Sequence, residues 1–228
     1  FAAGAAFAVL STLTLPPGDD RRPRPASRSD VARPDVAVAA LAVLAVGVGL
    51  GSAAGNALTA FLVRGGVEAG LSENSAAVML IVGSVLGIFV RLLFGARADR
   101  DPVRTLPFIA SLFVAASVAF ALLATEAAVV FVFTVPFAFA TAYAWPGLFH
   151  LAVVRANPSA PGTATGIAMT GTLAGAVCGP LGFGLLAEHV SYTAAWLSGS
   201  AMLIVASAIV LFSARHVVDA HHPAPLPA

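Results

Sequence analysis

Long apolar runs separated by short polar segments are the dominant pattern along this chain. Six runs of about 20 to 28 residues could each cross a bilayer, because a helix rises 1.5 Å per residue and the hydrocarbon layer is about 30 Å thick. The apolar/polar alternation of a membrane β-barrel is absent. The predicted spans are 36–63, 73–94, 105–124, 127–154, 164–187 and 192–214. The pattern predicts an all-α membrane protein with six complete transmembrane helices.

A shorter apolar run, 1–15, precedes the six spans and is followed by a charged, proline-rich stretch, 16–35. The run is too short for a full span, and no basic segment precedes it as in a signal peptide. We therefore expect 1–15 to be the end of a truncated transmembrane helix, 16–35 to be a linker, and the chain to be part of a longer protein.

The composition excludes a sizeable soluble domain. Of 228 residues, 59% are hydrophobic and only 10% are charged, whereas soluble domains carry about 25% charge. No HExxH motif, nucleophile elbow or pair of intramembrane carboxylates is present, so we expect no enzyme activity, cofactor or nucleic-acid partner. A single cysteine excludes a metal site built from several thiolates.

The arginines predict the orientation in the membrane. All 12 basic residues are arginines, a composition typical of a GC-rich genome, and ten of them fall in the segments on one side of the predicted spans. Only Arg64 falls on the other side, and Arg91 lies inside a span. Positive residues concentrate on the cytoplasmic side, so we expect the linker, the loop 95–104 and the tail 215–228 to be cytoplasmic. We expect a bacterial cytoplasmic membrane as the location.

The loop after the second span has a recognisable sequence. Gly95 is followed four and five residues later by Asp99 and Arg100, with Arg104 beyond them. This resembles the cytoplasmic loop motif of the major facilitator superfamily, although Pro102 stands where that family usually has Gly. The resemblance implies that Gly95, Asp99, Arg100 and Arg104 form a conformational switch, the carboxylate capping a helix or binding an arginine in one of two states. The alternative is a charged turn.

A second resemblance lies in the fifth span. Gly166, Gly175, Gly179 with Pro180, and Gly184 are similar to the antiporter motif of the same family. Gly171, Gly175 and Gly179 recur every four residues and so form a smooth helix face for close packing, while Pro180 permits a kink. Such faces also occur in helix bundles of other function.

The resemblance covers nearly the whole chain and implies a fold and a function. Superfamily members have two six-helix repeats joined by a basic cytoplasmic loop, so the six spans correspond to the second repeat and 1–15 to the end of helix 6. The alternative is that the spans form the first repeat. The implied function is secondary transport of a small solute across the bilayer by alternating access, together with a missing N-terminal half.

Several polar side chains within the spans are candidate solute ligands. Ser52, Asn56 and Thr59 share one face of the first span, and polar groups there need partners other than lipid. Bonds between helices would satisfy them equally well. The substrate-binding candidates are Asn56, Thr59, Arg91, Thr141, Tyr143 and Trp145.

Arg91 is the costliest of these residues to place in a membrane. Its spacing to Gly95 resembles the eighth helix of monocarboxylate and oxalate:formate carriers, where an arginine engages a carboxylate. An organic anion is therefore the preferred solute, and the alternative is that Arg91 only reaches toward the cytoplasm. The glycine segment favours a drug/proton antiporter as the second possibility; a membrane-embedded enzyme and a receptor without transport are remote ones.

No Asp or Glu lies well inside a predicted span. If a proton or another ion drives transport, we expect its carboxylate in the missing half, or else His150 in that role.

Overall fold

The computed structural model describes residues 34–98 and 105–219, without the side chains of 96–98 and 215–219. The predicted helix end 1–15, most of the linker 16–35, and the end of the tail lie outside the described residues. So do Asp99, Arg100 and Arg104 of the predicted switch loop.

Helices make up the described part of the chain, which contains no strand. Six segments are long and apolar enough to span a membrane, so the predicted all-α membrane fold is confirmed. The helices are α1 (Val38–Glu68), α2 (Glu73–Ala98), α3 (Thr105–Leu123), α4 (Ala128–Ala142), α5 (Trp145–Ala156), α6 (Pro161–His189) and α7 (Tyr192–Asp219).

The fourth span is broken into two helices, α4 and α5, at Tyr143 and Ala144. Pro146 lies in the first turn of α5 and has no N–H to donate to the carbonyl of Ala142. Pro136 also lacks this donor, yet α4 continues through it. The break therefore coincides with the second proline.

Helix α1 continues five residues past the predicted end of the first span. Arg64 and Glu68 form an ion pair of 3.0 Å between successive turns in this extension. Such pairs at i and i+4 support a helix, so α1 continues into the polar region beyond the apolar run.

Hydrogen bonds gather the ends of the helices into two groups. At one end, the backbone N–H of Val36 donates to Asn157 Oδ1 at 3.0 Å, and that of Ser159 donates to Asp35 Oδ2 at 2.9 Å. At the other end, Thr193 Oγ1 donates to Glu126 Oε1 at 2.7 Å. This grouping is what six spans of alternating direction require.

The buried core contrasts with two largely exposed helices. Large aromatic side chains fill the core, and Trp196 packs edge-on against Phe120 and Phe183. In α2 and α6, only 11% of the residues of the apolar window are buried, against 61% in α1. Both helices therefore present wide apolar faces outside the core.

Candidate substrate pocket

Three of the six substrate-binding candidates line one pocket, at the point where the fourth span is broken. Helices α1, α2 and α4 surround a cavity of about 210 Å³. It is lined by Thr59, Ser84, Gly87, Ile88, Arg91, Phe139 and Tyr143. The pocket therefore brings together one predicted ligand from each of three spans.

Tyr143 lies at the C-terminal end of α4 and reaches across to α1. Its hydroxyl donates to the backbone carbonyl of Gly55 at 2.7 Å and is also hydrogen-bonded to Thr59 Oγ1. The Thr59 hydroxyl also lies 3.4 Å from the carbonyl oxygen of Gly55, so the two hydroxyls and this carbonyl form one hydrogen-bonded group. The ring of Tyr143 stacks on Phe139 with 5.4 Å between the centroids.

Two glycines lie beside Tyr143, and each has enough space around it for a Cβ. A Cβ added to Gly87 of α2 would lie 3.6 Å from Tyr143 Cβ, and one added to Gly55 would lie 3.9 Å from the ring. Both positions are in ordinary contact with the tyrosine, which is held between α1 and α2.

Arg91 contributes the only charge among the residues that line the pocket. Its side chain is exposed, and within the described ranges no acidic side chain forms an ion pair with it. A guanidinium can make two parallel hydrogen bonds to a carboxylate and keeps its charge at any physiological pH. The pocket thus combines one cation with hydroxyls from Thr59, Tyr143 and Ser84.

Thr141 and Trp145 lie outside this pocket. Thr141 is buried, and its hydroxyl donates to the carbonyl of Phe137 in its own helix at 2.8 Å. Trp145 is buried in the core, where it packs edge-on against Phe113 and Phe149. Neither side chain lines the cavity, because both are buried on the core side of the fourth span.

Asn56 is half-buried beside the seam between α1 and α6. Its amide nitrogen donates to the carbonyl of Ser52 at 2.9 Å, and Ser52 Oγ donates to the carbonyl of Thr172 in α6 at 2.8 Å. The predicted polar face of the first span is therefore divided, since Ser52 binds α6 whereas Thr59 binds Tyr143.

The glycine face of α6 lies against the backbone of α1. A Cβ on Gly171, Gly175 or Gly179 would fall well inside van der Waals distance of a carbonyl oxygen of α1, those of Ala45, Gly49 and Ala53 respectively. Pro180 lies within α6, which continues to His189. Gly95 lies near the end of α2 with open space around it.

A comparison with protein families matches residues 66–228 to the Major Facilitator Superfamily. The chain belongs to this superfamily. The match confirms the resemblance seen in the loop and glycine motifs and identifies the protein as a multi-pass membrane protein of the secondary transporter class. No curated protein matches the chain.

Superfamily membership gives the pocket a physical context. Secondary transporters of this type hold their solutes between helices near the middle of the bilayer. The polar network of Tyr143, Thr59 and Gly55 lies next to a helix break, where backbone groups leave the regular helix pattern and can be met by side chains or a ligand.

Proposed function

We propose that this superfamily member carries a small organic anion across the membrane by alternating access, with the Arg91 pocket as one part of its anion site. The observation that carries the proposal is an exposed guanidinium in a cavity of about 210 Å³ that also contains the hydroxyls of Thr59 and Tyr143. A carboxylate accepts hydrogen bonds from guanidinium and hydroxyl groups alike, so it matches the chemistry of this lining.

The network around Tyr143 supports a link between binding and helix position. To donate to a bound carboxylate, the phenol must leave the carbonyl of Gly55. Binding then loosens a contact between α1 and the broken fourth span. A ligand shifts a conformational equilibrium only through such differential contacts, so this contact is a suitable element for alternating access.

A partner for the exposed helix faces is part of the same proposal. We propose that α2 and α6 pack against a first six-helix half, because their apolar windows are the least buried of the six. The excess of arginines on one side supports a cytoplasmic location for that side and for the C-terminal tail, in a bacterial cytoplasmic membrane.

A second candidate function, efflux of apolar compounds, rests on a different cavity. A groove of about 470 Å³ lies along α1, α6 and α7, and its lining includes Ala53, Gly182 and Met202 and no charged side chain. Such a groove suits neutral apolar molecules. Transport of neutral drugs without transport of carboxylates would favour this candidate.

Arg91→Lys tests the anion proposal. We expect the variant to fold and reach the membrane, because lysine also extends toward the membrane surface. An ammonium cannot reproduce the two parallel hydrogen bonds, so the affinity for labelled lactate, acetate or oxalate should fall about 10-fold to 150-fold, equivalent to about 1.5 to 3 kcal/mol. Binding and uptake are measured in proteoliposomes of the whole transporter.

Arg64→Lys is the matched control. Arg64 lies near the C-terminal end of α1, outside the Arg91 pocket, in an ion pair with Glu68. It should leave carboxylate affinity unchanged. Equal affinity of the wild type and Arg91→Lys for every anion would contradict the proposal and leave Arg91 as a residue that anchors α2 at the membrane surface.

A further inference from the structure

Thr172 of α6 has a hydroxyl without a partner inside a membrane span. Its Oγ1 atom is buried, and no group in the described part of the chain forms a hydrogen bond with it. Other hydroxyls in the spans, those of Ser84, Thr141 and Thr170, donate to backbone carbonyls of their own helices. A buried hydroxyl that makes no hydrogen bond is costly, so Thr172 calls for a physical explanation.

Thr172 belongs to a polar cluster between α1 and α6. Ser52 Oγ donates to the backbone carbonyl of Thr172 at 2.8 Å, and Asn56 Nδ2 donates to the backbone carbonyl of Ser52 at 2.9 Å. The amide nitrogen of Asn56 is thus used within α1, whereas its Oδ1 atom accepts no hydrogen bond from the described residues. The cluster therefore has an unused donor in Thr172 and an unused acceptor in Asn56.

Pro180 adds a further acceptor to the same face of α6. Proline has no N–H, so the carbonyl of Ala176 lacks its regular helical donor, although α6 continues to His189. Ala176 follows Thr172 by four residues, and this spacing places both on one face of the helix. Inside a membrane, a carbonyl without its helical donor is met by a side chain, a water molecule or a ligand.

A neutral hydroxyl group matches the unused atoms of this cluster. It can accept a hydrogen from Thr172 Oγ1 and donate its own to Asn56 Oδ1, so that each group gains one hydrogen bond. An ammonium cannot accept from Thr172, and a carboxylate cannot donate to Asn56. An ammonium would also need a nearby carboxylate, and the carboxylates of α1 and α6, Glu68 and Glu188, lie at the ends of these helices.

The Thr172 hydroxyl can reach a bound solute by rotation about its Cα–Cβ bond. The residue as a whole is half-buried, as is Asn56. Threonine in a helix has two accessible χ1 rotamers. The rotation breaks no hydrogen bond, because the hydroxyl makes none.

We propose that Thr172 and Asn56 bind a hydroxyl group of the transported anion, so that the solute is a hydroxy acid. The inference rests on the proposed anion transport and names its solute class. Asn56 precedes Thr59 of the Arg91 pocket by three residues, and side chains at this spacing have Cβ atoms about 5 to 6 Å apart. The hydroxyl therefore lies several bonds from the carboxylate, as in 4-hydroxybutyrate.

Butyrate and 4-hydroxybutyrate differ by one hydroxyl and so test this subsite in proteoliposomes of the whole transporter. We expect the wild type to bind labelled 4-hydroxybutyrate about 5-fold to 10-fold more tightly than butyrate, the effect of about one net hydrogen bond. Thr172→Val keeps the shape of the side chain and should abolish this preference by weakening the binding of 4-hydroxybutyrate alone. The thermal unfolding midpoint should stay unchanged or rise, because the variant removes a buried hydroxyl without a partner.

Thr170→Val is the matched control, because Thr170 lies in the same helix and its hydroxyl already donates to the carbonyl of Gly166. This variant should keep the preference for 4-hydroxybutyrate. Equal wild-type affinity for the two acids, or a preference that survives in Thr172→Val, would overturn the hydroxyl subsite while the anion function stands. If neither acid binds, the anion proposal fails, and labelled mannitol, a neutral polyol, decides the subsite. Mannitol binding that Thr172→Val weakens would support the subsite, and the absence of mannitol binding would overturn it.

Discussion

Tyr143 holds three helices together through one hydroxyl and one ring face. The hydroxyl uses its hydrogen on the carbonyl of Gly55, an oxygen that also serves the N–H four residues later in α1. The ring stacks on Phe139, and Tyr143 Cβ lies beside Gly87 of α2. Tyr143 lies just after the last residue of α4, and its side chain extends to a hydrogen-bond partner in α1.

Tyr143→Phe should test this connection. The substitution keeps the stacked ring and removes the bonds to Gly55 and Thr59, so we expect the free energy of unfolding to fall by only about 0.5 to 1.5 kcal/mol. If the phenol also contacts the solute, carboxylate affinity should fall about 5-fold to 10-fold. Thermal unfolding in detergent and binding of labelled lactate measure the two effects.

Tyr192→Phe provides the comparison for that prediction, since Tyr192 begins α7 and packs against Phe183 rather than lining the Arg91 pocket. Wild-type carboxylate affinity in both variants would leave Tyr143 with a structural role only.

At this scale the sequence predicted residue types better than their directions. Thr59, Arg91 and Tyr143 line one pocket, and each is a polar residue within an apolar span that needs a partner. Their role as solute ligands stays a prediction. Thr141 and Trp145 are buried in the core instead, because the face of the fourth span that contains them packs against other helices. The angle at Tyr143 and Ala144 depends on packing against other helices, and helical spacing contains no information about it.

The contact between α1 and α6 brings the backbones of two helices together. Residues recur every four positions on both helices, with Gly175 against Gly49 and its neighbours one turn away in register. The two helices are parallel along this contact. Close backbone approach gives dispersion contacts and Cα–H···O bonds, which replace the hydrophobic effect as the association force inside a membrane.

Gly175→Ala should separate these helices. The new Cβ would collide with the backbone carbonyl of Gly49, which cannot rotate away as a side chain can. We expect a loss of stability of about 1 to 3 kcal/mol, the usual cost of overpacking. The measurement is the thermal unfolding midpoint in detergent, together with hydrogen exchange along α6.

The matched control is Gly166→Ala, in the same helix but with open space around the added Cβ. It should leave the midpoint unchanged or raise it slightly, because alanine favours a helix over glycine. A midpoint in Gly175→Ala equal to that in Gly166→Ala would show that the seam tolerates a wider spacing.

Element by element, the apolar runs predicted six membrane-spanning helices, and the structure has six such segments. Hydropathy cannot say which helix meets the glycine face, since every span is apolar and lipid is as apolar as a helix surface. The pairing of α1 with α6 follows from matched small residues in both helices. To predict this pairing, one must know which residue of α1 lies opposite each glycine of α6.

In the described bundle, the helix ends form two groups, one on each side of the membrane. Two segments fall in the same group when an even number of spans separates them. Asp35 and Ser159 meet at one end, while Glu126 and Thr193 meet at the other. The grouping agrees with the sides on which the arginine count places these segments. Contacts between helix ends give no information about which group faces the cytoplasm, because both ends are polar, so the orientation depends on the positive-inside rule alone.

Cysteine labelling tests this orientation. In a Cys178→Ser background, we expect Ser159→Cys to react with an impermeant maleimide only after the cytoplasmic side is opened, and Thr125→Cys to react in intact cells. Both side chains are exposed and lie in opposite groups of helix ends, so each serves as the control for the other. The physical reason is that moving arginine-rich segments across the membrane is unfavourable, and ten arginines against one bias the orientation strongly. Labelling of Ser159→Cys but not of Thr125→Cys in intact cells would reverse the assignment, and would place the Arg91 end of α2 on the outside.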